Sequence, residues 1–200
     1  NNMTKIRTDM NIEGGAIELT DANLMKTPLV FMTGHDPAIA RRASGEAGYS
    51  MPNQSRLTNE ERRALRTYLL ERGGMLFVDD CGLNLQSLPF LQAVMSELRA
   101  ALPEYPIISI PNNHEIYNSF YNMGGPPKGS AYIRSHGVDA PIPEQLRGIE
   151  IDGRIAVILS ERDYLCAART VSVHPGTFKG EQSNLAYRFL TNIAVYALTH

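Results

Sequence analysis

Two hundred residues, 43% hydrophobic and 20% charged, with a net charge of -2, make a chain long enough for one domain with a sizeable core and too short for two comfortable ones. The near-neutral balance gives no reason to expect nucleic acid or another polyanion: the longest basic clusters are the pairs Arg41-Arg42 and Arg62-Arg63, which read as solvated patches. Two cysteines, Cys81 and Cys166, do not make a disulfide framework, and no apolar stretch approaches the roughly 20 residues of a membrane-spanning helix.

The chain begins at Asn1 with no initiator methionine, so the expectation is of a processed or truncated product whose targeting segment, if it had one, is gone. Ala16 to Leu19 alternates like a short strand, and Asp21 to Lys26 reads as a helical turn closed before Pro28. The run Leu29 to Thr33 is the first strong strand. From His35 to Arg56 the residues are Gly, Pro, Ser and Asn-rich without a period, which predicts an irregular loop over 36–56. Thr58-Asn-Glu-Glu61 is a capping box, and Ala64, Leu65, Tyr68 and Leu69 form one stripe behind it. A helix over about 59–72, closed by Gly73, therefore feeds the strand at 75–78.

Ser87 is placed to cap a second helix, with Leu91, Val94, Met95, Leu98 and Leu102 at helical spacing and Pro103 ending it. A strand at Ile107 to Ile110 follows. Residues 121–148 carry too many turn formers for regular structure. Asp152-Gly153 turns a hairpin whose second arm is the apolar run 155–159. Ser183 is the expected cap of a last helix, with Leu185, Phe189, Ile193 and Ala197 inward. The order predicts a single α/β domain over 1–200 with a mainly parallel sheet in three layers.

Four of these segments share one form: an apolar run that stops abruptly in acidic, amide or imidazole side chains. They are Pro28-Leu-Val-Phe-Met-Thr-Gly-His35, Gly73-Gly-Met-Leu-Phe-Val-Asp-Asp80, Pro106-Ile-Ile-Ser-Ile-Pro-Asn-Asn-His114 and Arg154-Ile-Ala-Val-Ile-Leu-Ser-Glu-Arg-Asp163. Strands buried on both faces have this continuous apolar character, and open α/β sheets bind ligands beyond the carboxyl ends of their strands. His35, Asp79, Asp80, His114 and Asp163 are thus the ligand-binding candidates, with Tyr117 either walling the pocket or anchoring its loop in the core. Asp79 and Asp80 are adjacent on a strand and point to opposite faces, so one is free to bind ligand or metal while the other caps a helix or loop. Two His and one or two carboxylates suit Zn, Fe or Mn, which makes His35, Asp80 and His114 the candidate ligands of a divalent transition metal. Cys81 is poorly placed as a nucleophile, because two carboxylates immediately upstream disfavour its thiolate. No phosphate-binding glycine loop and no Gly-x-Ser-x-Gly elbow occurs.

Taken in order, the runs ending at His35 and Asp80, then Pro111-Asn-Asn-His-Glu-Ile-Tyr117, then Leu190-Thr-Asn-Ile-Ala-Val-Tyr-Ala-Leu-Thr199, resemble the bacterial domain-of-unknown-function family numbered forty-one fifty-nine. The resemblance covers most of the chain from about residue 16. It implies a flavodoxin-like, glutamine-amidotransferase-like fold, distantly similar to trehalose-utilisation proteins, with a further strand upstream of residue 1. It also implies an exported, periplasmic or membrane-associated setting in bacteria. The cysteine, histidine and glutamate of glutamine hydrolysis have no clear match here.

Two functions are therefore expected to compete, with a glutamine-amidotransferase-type thiol enzyme as a third and more remote class. The first is a non-catalytic binding or assembly module with protein partners in a larger envelope complex. The second is a hydrolase, metal-assisted, using His35, Asp80, His114 and Asp163 on a small substrate such as a carbohydrate.

Overall fold

The computed structural model describes residues 18–33, 57–80, 89–129, 144–165, 167–168 and 180–200. Among the described residues five strands form one mixed sheet: β1 (Leu29–Thr33), β2 (Met75–Asp79), β3 (Ile108–Ser109), β4 (Arg147–Ile151) and β5 (Arg154–Ser160), in the spatial order β1-β2-β5-β4-β3. β1 and β2 pair in parallel, as do β2 and β5, with Asp79 beside Thr33 on one side and Ser160 on the other. β4 runs antiparallel to both β5 and β3. All four apolar runs of the sequence therefore point the same way, and β4 is the reversed strand between them.

The hairpin forms where the sequence places it. Asp152 and Gly153 both take positive φ, 51° and 81°, the pair of left-handed residues that a tight two-residue turn needs. β3 is shorter than the expected strand 107–110, since Pro106 and Pro111 bracket it and proline cannot donate to a ladder. The irregular stretch expected over 121–148 gives way to β4 at Arg147.

Among the described residues, the helices α1 (Asn59–Leu70), α2 (Pro89–Ala101) and α3 (Gly180–Thr199) flank the sheet. The capping box opens α1 as expected, with Glu61 N–H donating to Thr58 Oγ1 at 3.2 Å and Thr58 N–H to Glu61 Oε2 at 2.6 Å. Ser87 lies outside the described residues. Ser183 is inside α3 rather than at its cap, because that helix starts at Gly180. The buried stripe of α3 is Ala186, Phe189, Asn192, Ile193 and Tyr196, while Leu185 and Ala197 are only half-buried. Asp21–Lys26 contains the expected turn, a 3-10 turn at Leu24–Lys26. Leu19 lies in a turn rather than a strand, and residues 16–17 are outside the described residues.

Two cores result, one on each face of the sheet. Leu76 and Val78 of β2 pack with Leu65, Leu69, Leu91 and Leu98 of α1 and α2. Met75 and Phe77 pack with Tyr117, Tyr164, Phe189 and Ile193 on the α3 side. The strict alternation along β2 is the period-two geometry of a strand, and it carries on into the two residues that matter most.

Candidate functional site

Asp79 continues the odd-numbered side of β2 and so belongs to the α3 face, whereas Asp80 continues the even-numbered side toward α2. Asp80 Oδ2 accepts the N–H of Leu91 at 3.2 Å, inside the first turn of α2. Asp79 Oδ2 accepts the N–H of Leu165 at 2.9 Å. Each carboxylate thus holds the backbone of a segment that starts beyond the strand ends. Asp80 also donates its own N–H to Ser160 O at 2.9 Å, extending the β2–β5 ladder past the last paired residue.

Asp79 is 1% exposed. Burial, reinforced by the nearby charge of Asp163 and more weakly by Asp80, pushes its carboxyl up to about 8, against the opposing pull of the Leu165 N–H and the Ser160 hydroxyl. Asp163 reaches this position because the chain after β5 turns sharply. Asp163 has φ 57°, Arg162 N–H donates to Ser160 Oγ at 3.0 Å, and the Asp163 carbonyl accepts from Ala167 N–H at 3.1 Å. A non-glycine residue in the left-handed region is uncommon and is over-represented at functional positions.

The segment after β5 also clamps two distant pieces of chain. The Arg162 guanidinium donates to Pro127 O at 3.0 Å and to Glu144 O at 2.9 Å, and Tyr164 donates its hydroxyl to Pro127 O at 2.6 Å. Gly129 approaches so closely that a Cβ there would lie 2.2 Å from Arg162 O, and its φ is 70°. Glu161, 1% exposed, is ion-paired with Arg147 at the start of β4. Several buried polar atoms at this edge have no protein partner: Asp79 Oδ1, Asn112 Oδ1, Arg147 Nε and Glu161 Oε2. They come from the carboxyl ends of β2, β3 and β5 and from the strand that returns beside them. Buried polar groups are almost always paired, so a concentration of exceptions at one edge calls for an explanation.

The other sequence candidates fall elsewhere. His114 caps the 3-10 turn Glu115–Tyr117, and its Nδ1 accepts the N–H of Ile116 at 3.1 Å. Its ring meets Tyr196 edge-on at 6.0 Å, and the Tyr196 hydroxyl accepts from Ile155 N–H, at the amino end of β5. Five residues of strand separate Ile155 from Ser160, about 17 Å. His114 therefore lies toward the opposite end of the sheet from Asp79, and on the opposite face from Asp80. The expected convergence of His114 with Asp80 and Asp163 does not occur, because the chain after β3 doubles back along α3. Among the described residues no three His, Cys, Asp or Glu side chains come together to hold a metal. His35, Cys81 and Cys166 lie outside the described residues. Tyr117 is a core anchor, stacked on Phe189 with centroids 5.8 Å apart.

Asp79 and Asp163 are thus brought together. Ser160, Glu161, Arg162, Tyr164 and Arg147 join them, and none of these five was singled out in the sequence. Their signal was the dense polar stretch Ser160-Glu-Arg-Asp-Tyr164 directly after an apolar strand, which by itself reads equally well as a solvated turn.

These features define an α/β protein whose mixed sheet gathers charged side chains beyond the carboxyl ends of β2 and β5. The chain belongs to the family described as Domain of unknown function (DUF4159), whose family model matches residues 49–198. No curated protein matches it. Among the described residues no helix is long and apolar enough to cross a membrane.

Proposed function

We propose that this chain is a non-catalytic binding module on a three-layer, mainly parallel, flavodoxin-like and glutamine-amidotransferase-like scaffold, serving an exported or envelope-associated bacterial assembly with protein partners. The observation that carries the reading is the set of unpartnered, buried polar atoms at the carboxyl edge, Asp79 Oδ1 and Glu161 Oε2 foremost, in the place where open α/β sheets receive ligands. Asp80 holds α2, and the one described candidate histidine, His114, spends Nδ1 on its own turn at the far end of the sheet. The envelope setting and the finer fold rest on the family resemblance.

The test is a screen of the purified chain for thermal stabilisation by small polar molecules, run beside hydrolase assays with and without added Zn and Mn. Saturable stabilisation without turnover supports the module. Turnover that depends on Asp79, Asp163 or an added transition metal replaces it with the hydrolase. Thiol alkylation gives a further check: Cys81, with Asp79 and Asp80 just upstream, should react slowly at pH 7. Rapid stoichiometric labelling with loss of a hydrolytic activity would revive the amidotransferase chemistry.

A further inference from the structure

The helices α1, α2 and α3 do not face solvent alike. α1 exposes Glu60 and Arg63, and α2 exposes Gln92 and Arg99, the polar outer face that a surface helix ordinarily carries. α3 departs from this pattern. From Phe189 to Thr199 it holds no Asp, Glu, Lys or Arg. Tyr187 and Leu198, 46% and 51% exposed, stand on its outer side at helical spacing, with Ala194 half-buried between them. Phe120, also 51% exposed, widens the apolar surface along one flank of the helix, where its N–H donates to Asn192 Oδ1.

Two charges bracket this surface. Toward the amino end of α3 the Arg188 guanidinium lies over the Tyr121 ring at 5.3 Å. At the carboxyl end Glu115, its side chain 64% exposed, approaches His200 at 3.4 Å. Both charges are on the flank along which residues 115–121 run, and the stretch of helix between Arg188 and His200 is about 18 Å long. A two-fold axis crossing α3 near the level of Ile193 exchanges the ends of that flank. Two copies of α3 then run antiparallel, with Tyr187 of each beside Leu198 of the other and Arg188 of each beside Glu115 of the other. Phe120, held at the level of Asn192, falls next to the axis, so the apolar groups are central and the charges peripheral, as in a protein interface. A face with one cation and one anion at its two ends is complementary to itself and not to a lipid surface or polymer of a single sign.

We infer that the outer face of α3 docks on a second copy of this chain as an antiparallel, two-fold dimer. This face is turned away from the sheet, so its occupant does not depend on what the carboxyl edge binds.

Sedimentation velocity of the full chain, from low micromolar to several hundred micromolar, tests it. The expected result is a monomer that passes to a dimer within that range, since a single helix face makes a small interface. Leu198→Glu alters an exposed position and leaves the core untouched; it should raise the dimer dissociation constant about tenfold or more. Arg188→Glu and Glu115→Arg each set like charges opposite one another twice in the dimer and should each weaken it about fivefold, while the two together should return it to within about threefold of the parent. Native circular dichroism of each variant shows that these changes act on association and not on folding. A chain that stays monomeric throughout overturns the inference. So does a dimer that tolerates Leu198→Glu, or one that the paired charge reversal fails to restore. A monomer that binds phosphatidylglycerol vesicles, and loses that binding in Leu198→Glu, overturns it in favour of a membrane surface.

Discussion

The two ends of the sheet are built on opposite principles. At the amino end the polar groups close on one another. Tyr68 donates its hydroxyl to Met75 O at 3.1 Å, Met75 N–H donates to Pro28 O, and Ile155 N–H donates to the Tyr196 hydroxyl. Arg154 donates to Leu69 O at 2.6 Å, a cation set at the carboxyl end of α1, and to Gly74 O at 3.2 Å in the turn that follows. Packing there is tight enough that a Cβ on Gly74 would meet the Tyr68 ring at 2.2 Å. At the carboxyl end, among the described residues, buried oxygens go unpaired, Asp79 Oδ1 and Glu161 Oε2 among them. Polar groups that close on one another at one end and stay unpaired at the other mark the second as the place where stability has been given up for something else.

The largest effect should come from breaking the closed end. Tyr68→Ala removes a ring that is 1% exposed, its bond to Met75 O and the surface that Gly74 packs on. Denaturant titration should show a loss of about 3–5 kcal/mol. A loss under about 1 kcal/mol would mean that the amino end is not the rigid part of the molecule.

A smaller loss is expected at a residue the sequence did not flag. Asn192 is fully buried in the stripe of α3 and uses both ends of its amide. Oδ1 accepts from Phe120 N–H at 3.1 Å and Tyr121 N–H at 2.7 Å, and Nδ2 donates to Tyr117 O at 2.7 Å and Tyr121 O at 2.8 Å. Asn192→Ala strands four backbone groups, and the ones left buried make the cost about 2–3 kcal/mol. Because Asn192 lies on α3 between Phe189, which packs on Phe77, and Tyr196, which bonds Ile155 at the amino end of β5, Asn192→Ala should leave ligand binding at the carboxyl edge intact once the protein is folded. Coupled losses of stability and binding would erase the distinction between the two regions.

What the sequence could convey follows the same division. Periodicity and turn chemistry are local, so the capping box at Thr58, the hairpin at Asp152-Gly153 and the split of Asp79 from Asp80 to opposite faces were all readable. The destination of a chain after a strand is not local. His114 follows β3 just as Asp80 follows β2, yet β3 pairs over only two residues and the chain then folds back to Tyr196. The Arg162 clamp on Pro127 and Glu144 spans 35 and 18 residues, and no spacing within the sequence encodes such a reach. A buried Asn in an apolar helix stripe was visible in principle, but its partners lie more than 70 residues away.

The finest test of the comparison is the pH dependence of stability, because it isolates one proton at the carboxyl end. Asp79 titrates near 3.9 in an unfolded chain and about 8 in the folded one, raised by burial and then by Asp163. Between those values the folded state holds a proton that the unfolded state has released. The unfolded state therefore binds fewer protons, and stability must fall as pH rises through that window, with a slope from this group of at most about 1.4 kcal/mol per pH unit. The penalty is absent below about pH 4, grows up to about pH 8 and is constant above it. Asp79→Asn keeps an acceptor for the Leu165 N–H and removes the ionisation. Its stability should match or exceed that of the parent at pH 7 and gain further by pH 8, with the two curves converging toward pH 4. Chemical denaturation at four or five pH values reads this directly. If the parent and Asp79→Asn keep a constant difference from pH 4 to pH 8, Asp79 is ionised in the folded protein, the carboxyl edge carries a fixed charge satisfied by its surroundings, and the contrast between a closed and an open end of the sheet is lost.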